Sequence, residues 1–214
     1  MTEIIWQTDE LPLMISGDDV AAGTVILAHG AGAPMDSPFM NYFADGLASA
    51  GYRVVRFEFP YMAGRRKGGS KRPPDRQPKL LACWQEVIDL FGPAEKLVIG
   101  GKSMGGRMAS LIADGAAVAG LVCLGYPFYA PGRPEKPRIE QLQVMRTPTL
   151  MVQGTRDAMG SQEAVAAYNL PAQIGFHWAD DGNHDLSPRK KSGFTEEGNW
   201  QSGVAAAADF IAGL

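Results

Sequence analysis

The chain predicts an α/β fold, a mostly parallel central sheet with helices on both faces and no large cap. Three observations carry this. Short apolar β-rich runs alternate with helix-like runs along the whole length. Gly (26) and Pro (15) are frequent enough to punctuate those runs with tight turns. At 45% hydrophobic residues, 214 residues can bury a large core without disulfide or metal staples.

The elements follow in order. Residues 3–7 and 11–15 read as two short strands. TVILA (24–28) is a buried strand that ends at His29-Gly30. Residues 39–50 have helical spacing and stop at Gly51, and 52–59 is a strand ended by Pro60. The Gly/Pro-rich basic stretch 61–78 reads as one long loop. A helix is predicted over 79–91, a strand over 97–100, a helix over 104–114 and strands over 121–124 and 149–152. A short helix (161–168), a strand (174–178) and a helix (200–211) with Val204, Ala208 and Ile211 on one face complete the pattern. One domain spanning 1–214 accommodates all of it. Ligands of such sheets bind beyond the carboxyl ends of the strands. The loops after Ala28, Phe59, Gly100, Leu124, Val152 and Trp178 are therefore the functional edge.

Composition excludes several classes of function. No apolar run approaches the ~20 residues of a membrane span. MTEIIWQTDE carries acids where a signal peptide carries Lys or Arg, so a cytoplasmic location is expected. Cys83 and Cys123 lie in no CxxC or Cys/His cluster, so neither a metal nor another cofactor is expected. The net charge of −3 argues against nucleic acid as the partner. Charge is uneven, however. Residues 65–79 hold seven Lys and Arg against Asp75 alone.

The sharpest segment is Gly101-Lys102-Ser103-Met104-Gly105, a G-x-S-x-G placed between a buried strand and a helix. A serine on that turn exposes its hydroxyl, and side chains two positions away on either side would collide. The competing reading is a glycine-rich turn that packs closely or cradles phosphate. Neither Walker nor G-x-G-x-x-G spacing is present. Of three histidines, only His184 follows the last strand on the functional edge, where the base of a serine nucleophile is expected. His177 lies within a strand, and His29 reads as structural. Asp157, shortly after the 149–152 strand, is the candidate acid. Asp180, Asp181 and Asp185 are rivals, but lie too close in sequence to His184 to meet its ring edge-on. The oxyanion donors would be the N–H groups of Met104 and Ala31, with Gly32 as an alternative to Ala31. Lys102 reads as a packing or surface residue.

HGAG (29–32), GKSMGG (101–106), QGTRD (153–157) and GNHDL (182–186) occur in the order found in the α/β-hydrolase superfamily, which the chain resembles over nearly its whole length. More narrowly, it resembles the small dienelactone-hydrolase-like branch. HGAGAPMDSPFM, GKSMGGR and the RR…K…PP loop are similar to a hydrolase-like family that includes a testis-expressed protein and a subunit of the NSL acetyltransferase complex. The resemblance implies the α/β-hydrolase fold and a Ser-Asp-His triad, and little about substrate. Dienelactone enzymes use Cys as nucleophile, and this chain has Ser103.

The expected activity is that of a serine hydrolase of esterase or thioesterase type acting on a small acyl substrate. Residues 125–148 leave room for a short flap at most, which disfavours long-chain lipids. Arg65 and Arg66 are candidate substrate-binding residues for an anionic group, set against a loop that is simply solvated. The alternative function is a non-catalytic interaction module on a hydrolase fold. A peptidase is disfavoured, because nothing marks a peptide-binding cap. The oligomeric state has no signature.

Overall fold

A computed structural model describes residues 3–18 and 21–214. Eight strands form one sheet: β1 (Ile4–Thr8), β2 (Leu11–Ser16), β3 (Thr24–Ala28), β4 (Arg53–Phe57), β5 (Leu97–Lys102), β6 (Gly120–Leu124), β7 (Thr149–Gly154) and β8 (Ile174–Ala179). Their spatial order is β1-β2-β4-β3-β5-β6-β7-β8. β2 runs antiparallel to both of its neighbours, and β3 to β8 are all parallel. This is the α/β-hydrolase fold.

Helices cover both faces because the strands alternate. Val25, Leu27, Val98, Val122, Leu124, Leu150 and Val152 point to one face. They pack there against α1 (Pro38–Ser49) and α7 (Glu196–Ala212). Ile26, Ala28, Ile99, Leu121, Cys123 and Met151 point to the other. That face receives α3 (Gln77–Phe91), α4 (Met104–Ala116) and two short helices, α5 (Glu140–Gln143) and α6 (Gln162–Ala166). A strand slipped by one residue would exchange the two sets, so the apolar pattern also fixes register.

Three segments depart from expectation. The stretch 61–78 is not one loop, since α2 (Pro60–Arg66) opens it. Pro60 presets the first turn, Tyr61, Met62 and Ala63 are buried, and Arg65 and Arg66 oppose the carbonyl end of the helix dipole. α3 begins two residues before the predicted start, with Pro78 in its first turn. α7 begins at Glu196, four residues earlier than expected, because Thr195 caps it by accepting from the Gly198 N–H at 3.0 Å. The connection between β6 and β7 holds only α5 and forms a wall, not a cap: Tyr126 and Phe128 are fully buried within it.

Candidate active site

Ser103 joins β5 to α4 with φ 51° and ψ −114°. A non-glycine residue in that region costs on the order of 1–3 kcal/mol and persists only where its surroundings enforce it. Here close approach of backbones enforces it. A Cβ on Gly101 would lie 2.1 Å from the Ala28 carbonyl oxygen, and one on Gly105 would lie 2.4 Å from the same atom. Only hydrogen fits at both positions, which explains the two glycines of G-x-S-x-G. The Ser103 N–H donates to the Leu124 carbonyl at 2.9 Å and ties the turn to β6.

Asp157 lies three residues beyond β7 and is buried, and His184 lies five residues beyond β8. A Cβ on Gly154 would lie 2.3 Å from the Asn183 carbonyl oxygen, so the loop carrying His184 sits directly on the end of β7. Asn183 closes that loop, its Oδ1 accepting from the N–H groups of Asp185 (2.8 Å) and Ser187 (3.0 Å).

The three side chains meet. His184 Nε2 stands 2.8 Å from Ser103 Oγ, and His184 Nδ1 stands 2.7 Å from Asp157 Oδ2. With the Nδ1 proton donated to Asp157, Nε2 is free to accept the serine proton. The carboxylate has further donors. Its Oδ1 accepts from the Met159 N–H (2.8 Å) and its Oδ2 from Gln153 Nε2 (2.8 Å). Two of the three rival acids are engaged elsewhere: Asp181 pairs with Arg156 and Arg189, and Asp185 with Lys102. Hydrogen bonding to Arg189 brings the Asp181 pKa down to about 2.

Ser103, His184, Ala31 and Met104 all line a cavity of about 860 Å³ whose surface is mainly apolar. Among the described residues, neither the Ala31 nor the Met104 N–H has an acceptor. His29 lies beneath the Ala31 loop, fully buried. Its Nδ1 donates to the Gly30 carbonyl (2.6 Å) and its Nε2 accepts from the Phe59 N–H (3.1 Å). Desolvation lowers its pKa to about 4, so the ring stays neutral as a brace. His177 is half-buried within β8 and bonds Ser202 Oγ at 3.1 Å.

Arg65 and Arg66 do not reach this cavity. Arg66 is consumed by an internal ion pair. Its Nε and Nη2 hold both oxygens of Glu58 at 2.7 Å, and Nη2 also meets Asp36 at 2.6 Å. Glu58 is fully buried, so its carboxylate requires that partner. Arg65 lies over the Tyr61 ring and donates to the Arg72 carbonyl. Arg66 is thus held by Glu58 and Asp36, whereas Arg65 forms no ion pair among the described residues, and neither lines the cavity at Ser103.

Two further residues escaped sequence reasoning. Gln153, buried at the end of β7, bonds Asp157 and also accepts from the Tyr126 N–H at 2.7 Å. The signal for it is the QGTRD motif itself. Of the two alternatives for Lys102, packing or surface, the structure takes packing, and the polar contacts it makes there are what the sequence did not show. Its ammonium is buried, donates to the His184 carbonyl at 2.5 Å, pairs with Asp185 at 3.1 Å and lies over Phe39. Burial lowers its pKa.

The sheet order, the strained turn after β5 and the loops that follow β7 and β8 define a protein of the α/β-hydrolase fold. The chain belongs to the alpha/beta hydrolase domain family, whose model matches residues 21–212. Its backbone is similar to an alpha-beta serine hydrolase homologue from Coxiella burnetii (19% identity, TM-score 0.69, covering 100% of this chain and 97% of the other). It is similar to a dienelactone hydrolase from Anabaena variabilis (18%, TM-score 0.72, 100% and 96%). A serine hydrolase without lid from Xanthomonas campestris is also similar (22%, TM-score 0.65, 92% and 89%).

Proposed function

We propose that the chain is a single-domain serine hydrolase of esterase or thioesterase type acting on a small acyl substrate. The observation that carries this is the unbroken hydrogen-bonded line from Ser103 Oγ through His184 to Asp157 at the wall of an apolar cavity. In this reading Ser103 Oγ bonds to the carbonyl carbon while its proton passes to His184 Nε2. Asp157 holds the resulting imidazolium, and the Ala31 and Met104 N–H groups take the oxyanion. Collapse breaks the bond to the leaving group, which receives the proton from Nε2. Water, deprotonated by His184, then releases the acid and restores the serine.

Support for a small substrate is the absence of a cap over the cavity among the described residues. Free, buried Cys83 and Cys123 are in keeping with a cytoplasmic setting. The narrower kinship, with the family of the testis-expressed protein and the NSL subunit, belongs to the same proposal and rests on HGAGAPMDSPFM and GKSMGGR.

The test is a fluorophosphonate probe with the adduct located by mass spectrometry. Labelling of Ser103 that is lost in His184→Ala is the expected result. A native protein that takes no label would reject the enzyme reading in favour of an interaction module.

A further inference from the structure

Two other arginines stand where Arg65 and Arg66 do not. Arg107 and Arg138 both line the cavity that holds Ser103. Arg107 is one helical turn beyond the serine on α4, about 6 Å along the axis, and its N–H donates to the Ser103 carbonyl at 3.0 Å. Arg138 comes from the β6–β7 connection. Among the described residues neither guanidinium forms an ion pair. Arg107 Nε is shut off from solvent with no acceptor. The carboxylates of the cavity wall do not supply one. Asp75 accepts from the Tyr61 N–H, Asp185 pairs with Lys102, and Glu196 accepts from Ser187.

A polar scaffold fixes both backbones. Tyr126 Oη donates to the Arg138 carbonyl (2.9 Å), and Gln141 Nε2 reaches both Tyr126 Oη (2.7 Å) and Ser110 Oγ (2.9 Å). Ser110 Oγ in turn donates to the Arg107 carbonyl at 2.8 Å. Burial first, and then the charge of Arg107, lower the pKa of Arg138. Two like charges held together at an apolar wall without a counter-ion are an unfavourable arrangement that a bound anion relieves.

We propose that Arg107 and Arg138 form an oxyanion-binding subsite, so that the substrate is an ester or thioester carrying a carboxylate or phosphate a few bonds from the scissile carbonyl. Paired guanidinium forks suit either group through parallel N–H···O bonds. The kinetic arm of the test rests on the serine hydrolase reading; the binding arm does not.

In the kinetic arm, kcat/KM is measured for mono-p-nitrophenyl adipate and for p-nitrophenyl hexanoate, which have equal chain length. The ratio of anionic to neutral ester is expected to fall roughly 10–100-fold in Arg107→Gln and in Arg138→Gln. Arg107→Lys, which keeps charge but not the fork, should fall between those and the wild type. In the binding arm, calorimetry on the Ser103→Ala protein compares monomethyl adipate, methyl hexanoate and inorganic phosphate. At least tenfold weaker binding of one anion in Arg107→Gln supports the subsite, and which anion responds distinguishes carboxylate from phosphate. Anion binding indifferent to both arginines overturns the proposal even if Ser103 is reactive. Selective anion binding by a protein with an unreactive Ser103 retains the subsite and rejects the hydrolase reading instead.

Discussion

Lys102→Met separates a positioning role from a structural one. Methionine matches the apolar length of the lysine stem and removes the ammonium. The variant loses the bond to the His184 carbonyl (2.5 Å) and the pair with Asp185 (3.1 Å). A hydrogen bond to a charged group contributes about 1.5–3 kcal/mol. Two effects reduce the net cost. The Asp185 side chain is 63% exposed, so the ion pair is screened. The Lys102 pKa is lowered by burial, which means that folding already pays to desolvate the ammonium, and methionine escapes that cost. Global stability is therefore expected to change by no more than about 1 kcal/mol in either direction, or roughly 2–4 °C in Tm.

Activity should not be so forgiving. The lysine is a strut between the elbow and the loop that carries His184, and a displacement of ~1 Å at an imidazole can cost about 100-fold. kcat for a p-nitrophenyl ester is expected to fall about 10–100-fold with KM nearly unchanged, at a Tm close to that of the parent. A Tm loss that parallels the activity loss would refute the reasoning, as would an unchanged kcat.

Two further outcomes follow from the braces around the site. His29 is neutral in the fold down to about pH 4, whereas an exposed imidazole takes a proton near 6.5. The unfolded chain thus binds the extra proton between those values. Stability is fully present above about 6.5 and is lost by about 3 kcal/mol as pH falls to about 4. Urea titrations across that window check this, and His29→Gln should flatten the slope. Ring resonances of His29 that show protonation at pH 5.5 would contradict it. Arg66→Met strands the buried Glu58 carboxylate. The loss is expected near 3 kcal/mol, the lower end for a broken buried pair because Arg66 is 21% exposed, or roughly 6–12 °C in Tm. Adding Glu58→Gln should recover part of that loss, and a double variant no better than the single one would argue against the pair.

Much of the architecture was legible because it depends on local pattern. Short apolar runs alternating with helix-like ones gave six parallel strands, and glycines flanking Ser103 marked a turn that only hydrogen fits. His184 and Asp157 could be singled out by their positions after strands, since a parallel sheet brings all strand ends to one edge. What stayed hidden depends on pairing across the fold. Nothing near Arg66 in sequence announces that Glu58 and Asp36 neutralise it, because residues that far apart on separate elements meet only after folding. The buried side of α2 was masked by its basic and glycine neighbours. Arg138 sits in a proline-rich connection without periodicity, and Lys102 looks like any exposed lysine until Phe39 and the His184 loop enclose it.

The segment between β6 and β7 is spent on a side wall of the cavity. Esterases that must swing a canopy aside respond to oil–water interfaces and show lag phases. With no canopy over Ser103 among the described residues, there is no such step. Progress curves should be linear from mixing, and detergent micelles or emulsified substrate should bring no acceleration beyond the monomeric solubility limit.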